Sequence, residues 1–315
     1  MNKRDLVLSL LDAGKEQTYI PAGFFIHFNP SCHRGQAAVE KHLEYFRYTG
    51  MDFVKTQYEH TFPHRPEIVN PEDWAKMPLY KKDFFEEPLK VVEGLVKAAR
   101  KEALVIVTLY SPFMCAGHTT SEQIITQHIL ENPERTKKGI EIIAESLLIF
   151  VKACIKLGVD GFYASSQGGE SHRFTDPALF RECIKPSDLL VMEEINRNCV
   201  FNVLHVCDYH GGYHDLSPFI DYPGHVVNCS LTLGDQQISG QEVSTMFERP
   251  YMGGMERKGI IVSGSQEDIQ KAVRQLLDEK PAKFILAADC TLPGDINWEN
   301  IRTAIKTAHE FPATQ

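Results

Sequence analysis

Short apolar runs alternate with amphipathic helical stretches along almost the whole chain. This alternation limits the fold more than any other feature. Strand-like runs are expected at residues 22–28, 52–57, 104–109, 161–165, 203–207, 226–229, 250–253 and 284–288. Most are continuous apolar blocks, such as Leu104-Val105-Ile106-Val107, and not strict apolar–polar alternations. Strands of a parallel sheet covered by helices have this character, because both faces are buried. Each run is followed by a helix, or by a loop and a helix. Residues 135–157 place Ile140, Ile143, Leu147, Val151 and Ile155 at helical spacing. Ser265 and Asp268 read as a capping box that opens a helix through Leu277, and Pro281 stops the chain before the last run. Residues 297–311 read as the final helix. Eight β-then-α units in 315 residues predict the α/β class and a (β/α)8 TIM barrel, in one domain over residues 1–315. A doubly wound open sheet competes, but no glycine-rich dinucleotide loop follows the first run. Residues 62–83 carry four prolines and little periodicity, and read as a long loop on the active face and a candidate lid.

The formal net charge is −9. That balance argues against nucleic acid or an anionic membrane surface as the main partner. No run approaches a membrane span, and no long apolar segment follows the short amphipathic start. The eight cysteines are scattered without framework spacing. A cytoplasmic protein with reduced thiols is the expectation.

In a barrel of this kind, working residues gather at the C-terminal ends of the strands. The run at 203–207 ends in His205-Val206-Cys207, and the run at 284–288 leads to Cys290. Residues i and i+2 of a strand face the same side, so His205 and Cys207 can face one point. One imidazole and two thiolates suit zinc, and three protein ligands leave a coordination position open for chemistry. The competing reading is two small buried core cysteines and a satisfied core histidine. Gln167-Gly168-Gly169-Glu170 follows the 161–165 run, where the glycines would let backbone approach a ligand. Glu170 is a candidate fourth ligand or acid/base, and a plain surface turn explains the same residues. His210 is a candidate for contacting substrate or supporting a ligand, against a solvated loop histidine. His27 ends the first run and, with Gln57-Tyr58-Glu59-His60 at the end of the second, is expected to line the pocket. Gln167, Gly169 and His27 are the candidates for touching a bound cofactor.

Two stretches then resemble the uroporphyrinogen decarboxylase superfamily. Lys283-Phe284-Ile285-Leu286-Ala287-Ala288-Asp289-Cys290-Thr291-Leu292-Pro293-Gly294-Asp295, followed by Asn300-Ile301-Arg302, resembles its last strand and helix. Gly253-Gly254-Met255-Glu256-Arg257-Lys258-Gly259, followed by Ser263-Gly264, resembles its seventh-strand region. The similarity covers most of the chain and is strongest after Gly158. It implies a TIM barrel, in agreement with the alternation. The decarboxylase branch uses no metal and grips its substrate with an arginine-rich first segment. Here that segment, Pro21-Ala22-Gly23-Phe24-Phe25-Ile26-His27-Phe28, has no arginine. A highly anionic substrate would be left without cationic partners. The cobalamin-dependent methyltransferase branch, which includes the methylcobamide:coenzyme M methyltransferases, binds zinc through His-x-Cys and a later cysteine. His205, Cys207 and Cys290 match that motif residue by residue. The resemblance therefore implies a zinc-dependent methyltransferase. Its donor would be a corrinoid (methylcobalamin), free or on a carrier protein, and its acceptor a small-molecule thiol. The rivals are a metal-free decarboxylase of a smaller carboxylate, with Arg34 or Arg173 in its pocket, and a non-catalytic binding protein.

Overall fold

The computed structural model describes residues 2–312. Seven parallel strands form its central sheet: β1 (Phe53–Thr56), β2 (Leu104–Tyr110), β3 (Gly161–Ser166), β4 (Val203–Val206), β5 (Val226–Cys229), β6 (Tyr251–Met255) and β7 (Phe284–Ala288). They pair in chain order, each with the next, so every connection is a crossover, and all but the β4–β5 connection, which has only the short Ser217–Phe219 turn, carry an α-helix. The result is an α/β fold built on a curled parallel sheet. Almost every strand residue is buried, which is why the runs read as apolar blocks and not as alternations.

The run at 22–28 does not form the expected eighth strand. It contributes isolated parallel bridges, Ala22 to Leu286 and Ile26 to Leu292. The physical reason lies at Asp52. Its carboxylate accepts the Ala22 N–H at 2.8 Å, while the Asp52 N–H donates to the Ala22 carbonyl at 2.9 Å. A side chain thus takes a donor that a regular ladder would pair with backbone. On the other side Gly23 N–H donates to the Leu286 carbonyl at 3.0 Å. The segment is bonded to both flanking strands without being a regular strand, so the expected closed barrel of eight is corrected to seven strands and a bridging segment.

The helices follow their sequence signals. Pro133–Leu157 starts at a proline behind an Asn132 cap and ends at Gly158, whose φ is 94°. Ser265 and Asp268 form the capping box of Gln266–Asp278, and the last helix is Trp298–His309. The proline-rich stretch 62–83 is pinned and does not lie free over the sheet. Its Pro71–Lys76 turn buries Trp74 fully, with the indole N–H donating to His128 Nδ1 at 3.0 Å. Gly139 of the long helix leaves the room that this ring fills. Among the described residues, no helix is long and apolar enough to cross a membrane.

Candidate metal centre

The C-terminal ends of β4 and β7 bring three side chains to one point. The ligand atoms of His205, Cys207 and Cys290 lie within 4.8 Å of one another, and all three residues are buried. No other such group of histidine, cysteine and carboxylate side chains occurs among the described residues. The Cys207 N–H donates to the Ser166 carbonyl at 3.0 Å, which continues the β3–β4 ladder one residue past the strand. This keeps Cys207 on the His205 side of the pleat. Tyr163 of β3 lies against the His205 ring, with centroids 4.9 Å apart. Its hydroxyl donates to Asn228 Oδ1 at 2.6 Å, and the Asn228 amide donates to the carbonyls of Met252 and Ala288. One interior network therefore fixes the ring of His205 and the end of the strand that delivers Cys290.

The donor set fits a zinc ion. The two sulfurs are 4.0 Å apart, and a tetrahedral zinc with bonds near 2.3 Å would place them about 3.8 Å apart. His205 Nδ1 is buried without a hydrogen-bond partner. A buried polar atom left unpaired is costly, and a bound cation or the proton of a partner would relieve it. Without a metal the two thiols compete for one proton. The S–H of Cys207 and the imidazole of His205 hold Cys290 low, and the Cys290 sulfur together with burial pushes Cys207 up.

A clamp joins the two cysteine-bearing loops. Arg257 Nη1 donates to Asp208 Oδ1 at 2.7 Å and to Asp289 Oδ2 at 2.8 Å, and its backbone N–H donates to Asp289 Oδ1 at 2.7 Å. Asp208 follows Cys207 and Asp289 precedes Cys290, so one guanidinium ties together the two segments that carry the sulfurs. Arg257→Met should weaken zinc binding by about 10- to 100-fold, the usual cost of losing an outer partner of a metal site. Competition with a chromogenic chelator measures it. An unchanged affinity would show that the clamp has no part in shaping the site.

The trio opens onto a cavity of about 800 Å³ that is also lined by Gln167, His27, His210 and Lys55. Gln167 Nε2 donates to Cys207 Sγ at 3.3 Å. His27 Nδ1 pairs with Glu59 at 2.8 Å, and His210 Nδ1 with Glu122 at 3.0 Å. Burial holds His210 below the usual histidine range, with a further push from Arg173. Glu170 and Gly169 are not brought to the trio. The Glu170 carboxylate accepts from Arg173 Nε at 2.5 Å and from Gly168 N–H at 2.9 Å, and both residues line a separate cavity of about 410 Å³. Arg173 is thereby occupied, and Arg34 lies at a different, small pocket beside Glu87. Neither arginine named for a metal-free lyase lines the large cavity. Lys55, Tyr163, Arg257 and His118 also line it and were given no role by sequence reasoning. For Lys55 a signal was present, since a lysine inside an otherwise buried strand needs a reason.

The family model described as uroporphyrinogen decarboxylase (URO-D) matches residues 49–311. The chain belongs to the uroporphyrinogen decarboxylase family. A search of curated proteins gives no match by sequence. Among solved structures, a methyltransferase from Methanosarcina mazei aligns with a TM-score of 0.78 and 13% identity, covering 99% of each chain. A B12-independent methionine synthase from Shewanella sp. W3-18-1, in complex with selenomethionine, aligns with a TM-score of 0.57 and 12% identity, covering 93% of this chain and 95% of the other. At these identities the likeness is one of fold.

Proposed function

We propose that this family member is a zinc-dependent methyltransferase that moves a methyl group from a methylated corrinoid to a thiol. The carrying observation is the convergence of His205, Cys207 and Cys290 on one point at the wall of a large cavity. Three ligands of this kind leave a position for a substrate sulfur. Zinc, when bound, supplies the Lewis acidity that keeps such a sulfur as a thiolate near neutral pH. The chain's own residues supply the rest. Gln167 Nε2 donates to Cys207 Sγ and so draws charge from that ligand. Tyr163 and Asn228 fix the imidazole and the β7 end. His118 Nδ1 is buried in the cavity wall without a partner, and burial holds this histidine below its usual range. It is therefore neutral at pH 7 and can accept the proton that leaves the thiol. His210, half exposed and paired with Glu122, is the second base in the same wall. The methyl donor reaches the cavity free or on a corrinoid carrier protein. The methyltransferase and methionine synthase named among the structural neighbours support methyl transfer as the reaction class.

Protein purified without chelator and kept reduced should carry about one equivalent of zinc. Under anaerobic conditions with excess 2-mercaptoethanol, it should consume methylcobalamin, read as loss of the methylcobalamin spectrum. Zinc below about a tenth of an equivalent overturns the metal half of the proposal. Full zinc with an unchanged methylcobalamin spectrum overturns the corrinoid half.

A further inference from the structure

The second cavity, of about 410 Å³, has no part in the chemistry above. Gln167 lines the large cavity, and the three residues after it, Gly168, Gly169 and Glu170, line this one. One stretch of backbone thus forms a wall of each. The volume is within the range of small-molecule sites. Phe174, Pro177, Phe180 and Pro218 give the cavity an apolar lining, and Arg181 and Lys185 stand in the same wall. Mostly apolar walls with a few polar groups are the usual make-up of such sites.

A π turn delivers three of these residues. It spans Phe180–Ile184, and the Lys185 N–H donates to the Phe180 carbonyl, five residues back. The helix Lys185–Asn198 follows directly. A π turn is rare and is found frequently at functional sites. Here it sets Phe180, Arg181 and Lys185 on one cavity.

The carboxylates of the lining are already engaged. Glu170 is held by Arg173, and Asp215 accepts from the N–H and the hydroxyl of Ser217. The two cations are less fully engaged. Arg181 meets its neighbour Glu182 at 3.1 Å, and both side chains are exposed. Lys185 donates to Asp221 at 2.6 Å and to the Pro218 carbonyl at 3.0 Å, which leaves one of three ammonium donors. Its side chain is 16% exposed, against 65% for Asp221. Ion pairs with an exposed partner are weak, and neither Glu182 nor Asp221 lines the cavity. An anion inside it would meet the cations from the apolar side, where charge–charge contacts are stronger than in water.

We propose that this cavity is a binding site, separate from the metal centre, for an aromatic carboxylate. The ring lies among Phe174, Phe180 and the two prolines, and the acid group meets Arg181 and Lys185. The ring gains buried area and ring contacts, and the carboxylate gains charge-assisted hydrogen bonds. The site stands independently of the methyl-transfer reading, because no member of the metal trio lines it.

The test titrates the full-length protein by calorimetry with 2-naphthoate and with 2-naphthalenemethanol, which carries the same ring without the charge. About one naphthoate per chain should bind with a Kd below about 1 mM, and the alcohol about tenfold more weakly, as a charge-assisted contact requires. Arg181→Gln and Lys185→Met should each remove most of that preference and leave the alcohol within about twofold of its wild-type affinity. Arg181 is exposed, so its substitution leaves the core untouched and decides the matter even if Lys185→Met folds poorly. Phe174→Ala should weaken acid and alcohol alike. No binding of naphthoate to the wild type overturns the site, and so does equal affinity for acid and alcohol. A preference that survives in Arg181→Gln and Lys185→Met overturns it too. Binding that ignores these variants and is lost in Lys55→Met would place the acid in the large cavity and overturn it as well.

Discussion

Alanine in place of Cys207 or of Cys290 should take the protein from about one equivalent of zinc to less than about a tenth. The expectation follows from counting ligands. Each substitution leaves one imidazole and one sulfur, which is too few to hold zinc against water at neutral pH. Methyl transfer to a thiol should fall by more than the roughly 100-fold that outer partners of a metal cost. Both side chains are buried, so a packing role has its own signature: a modest loss of stability with nothing lost from the metal content. Cys229 supplies the control. It is as buried as the other two and ends β5, but it is outside the trio. Cys229→Ala should keep its zinc. Metal content by atomic spectrometry, beside thermal melts of each variant, separates the readings. Zinc retained by both Cys207→Ala and Cys290→Ala would remove the basis of the proposed chemistry.

These cysteines could be found in the sequence because their geometry is local. The period of a strand decides that His205 and Cys207 share a side, and the rule that barrels work at strand ends brings β4 and β7 together. The strands were legible for a similar reason, since seven of the expected runs are buried on both faces and carry unbroken apolar blocks. What could not be read depends on contacts between distant residues. Arg257 meets carboxylates 49 and 32 positions away, so nothing near it in the sequence marks it as a clamp. The 22–28 run has strand composition, and only the folded position of Asp52 takes its ladder donor. Glu170 lies away from the trio for a nearer reason. Gly168 turns the chain at a φ of 102°, and Arg173, three residues on, claims the carboxylate. The i, i+3 spacing of Glu170 and Arg173 was visible, but it marks a pair only once the turn is known.

Gly161→Ala should cost about 3–5 kcal/mol, beyond the usual range for overpacking because the clash is with backbone. A Cβ at this position would lie 1.5 Å from the Phe201 carbonyl oxygen and 2.5 Å from its carbon. The obstacle is backbone, so no rotamer change relieves it. It is also tied in place, because the Phe201 N–H donates to the Asp160 carbonyl at 3.1 Å and the Asn202 side chain accepts from Phe162 N–H at 3.0 Å. A methyl group there must force the start of β3 away from the approach to β4, and the register Tyr163 to Val203 and Ser165 to His205 begins two residues later. A loss of this size is a large share of a typical domain's stability. Gly212 is exposed and has nothing within 4 Å of its added Cβ, so Gly212→Ala should stay within about 0.5 kcal/mol of wild type. Urea denaturation of the two variants reads the contrast. Because β3 and β4 carry Tyr163 and His205 and lead directly into Gln167 and Cys207, partial survival of Gly161→Ala should appear as weaker zinc binding before it appears as unfolding. A Gly161→Ala protein with wild-type stability and wild-type zinc affinity would mean that the β3–β4 junction yields more easily than its hydrogen bonds imply.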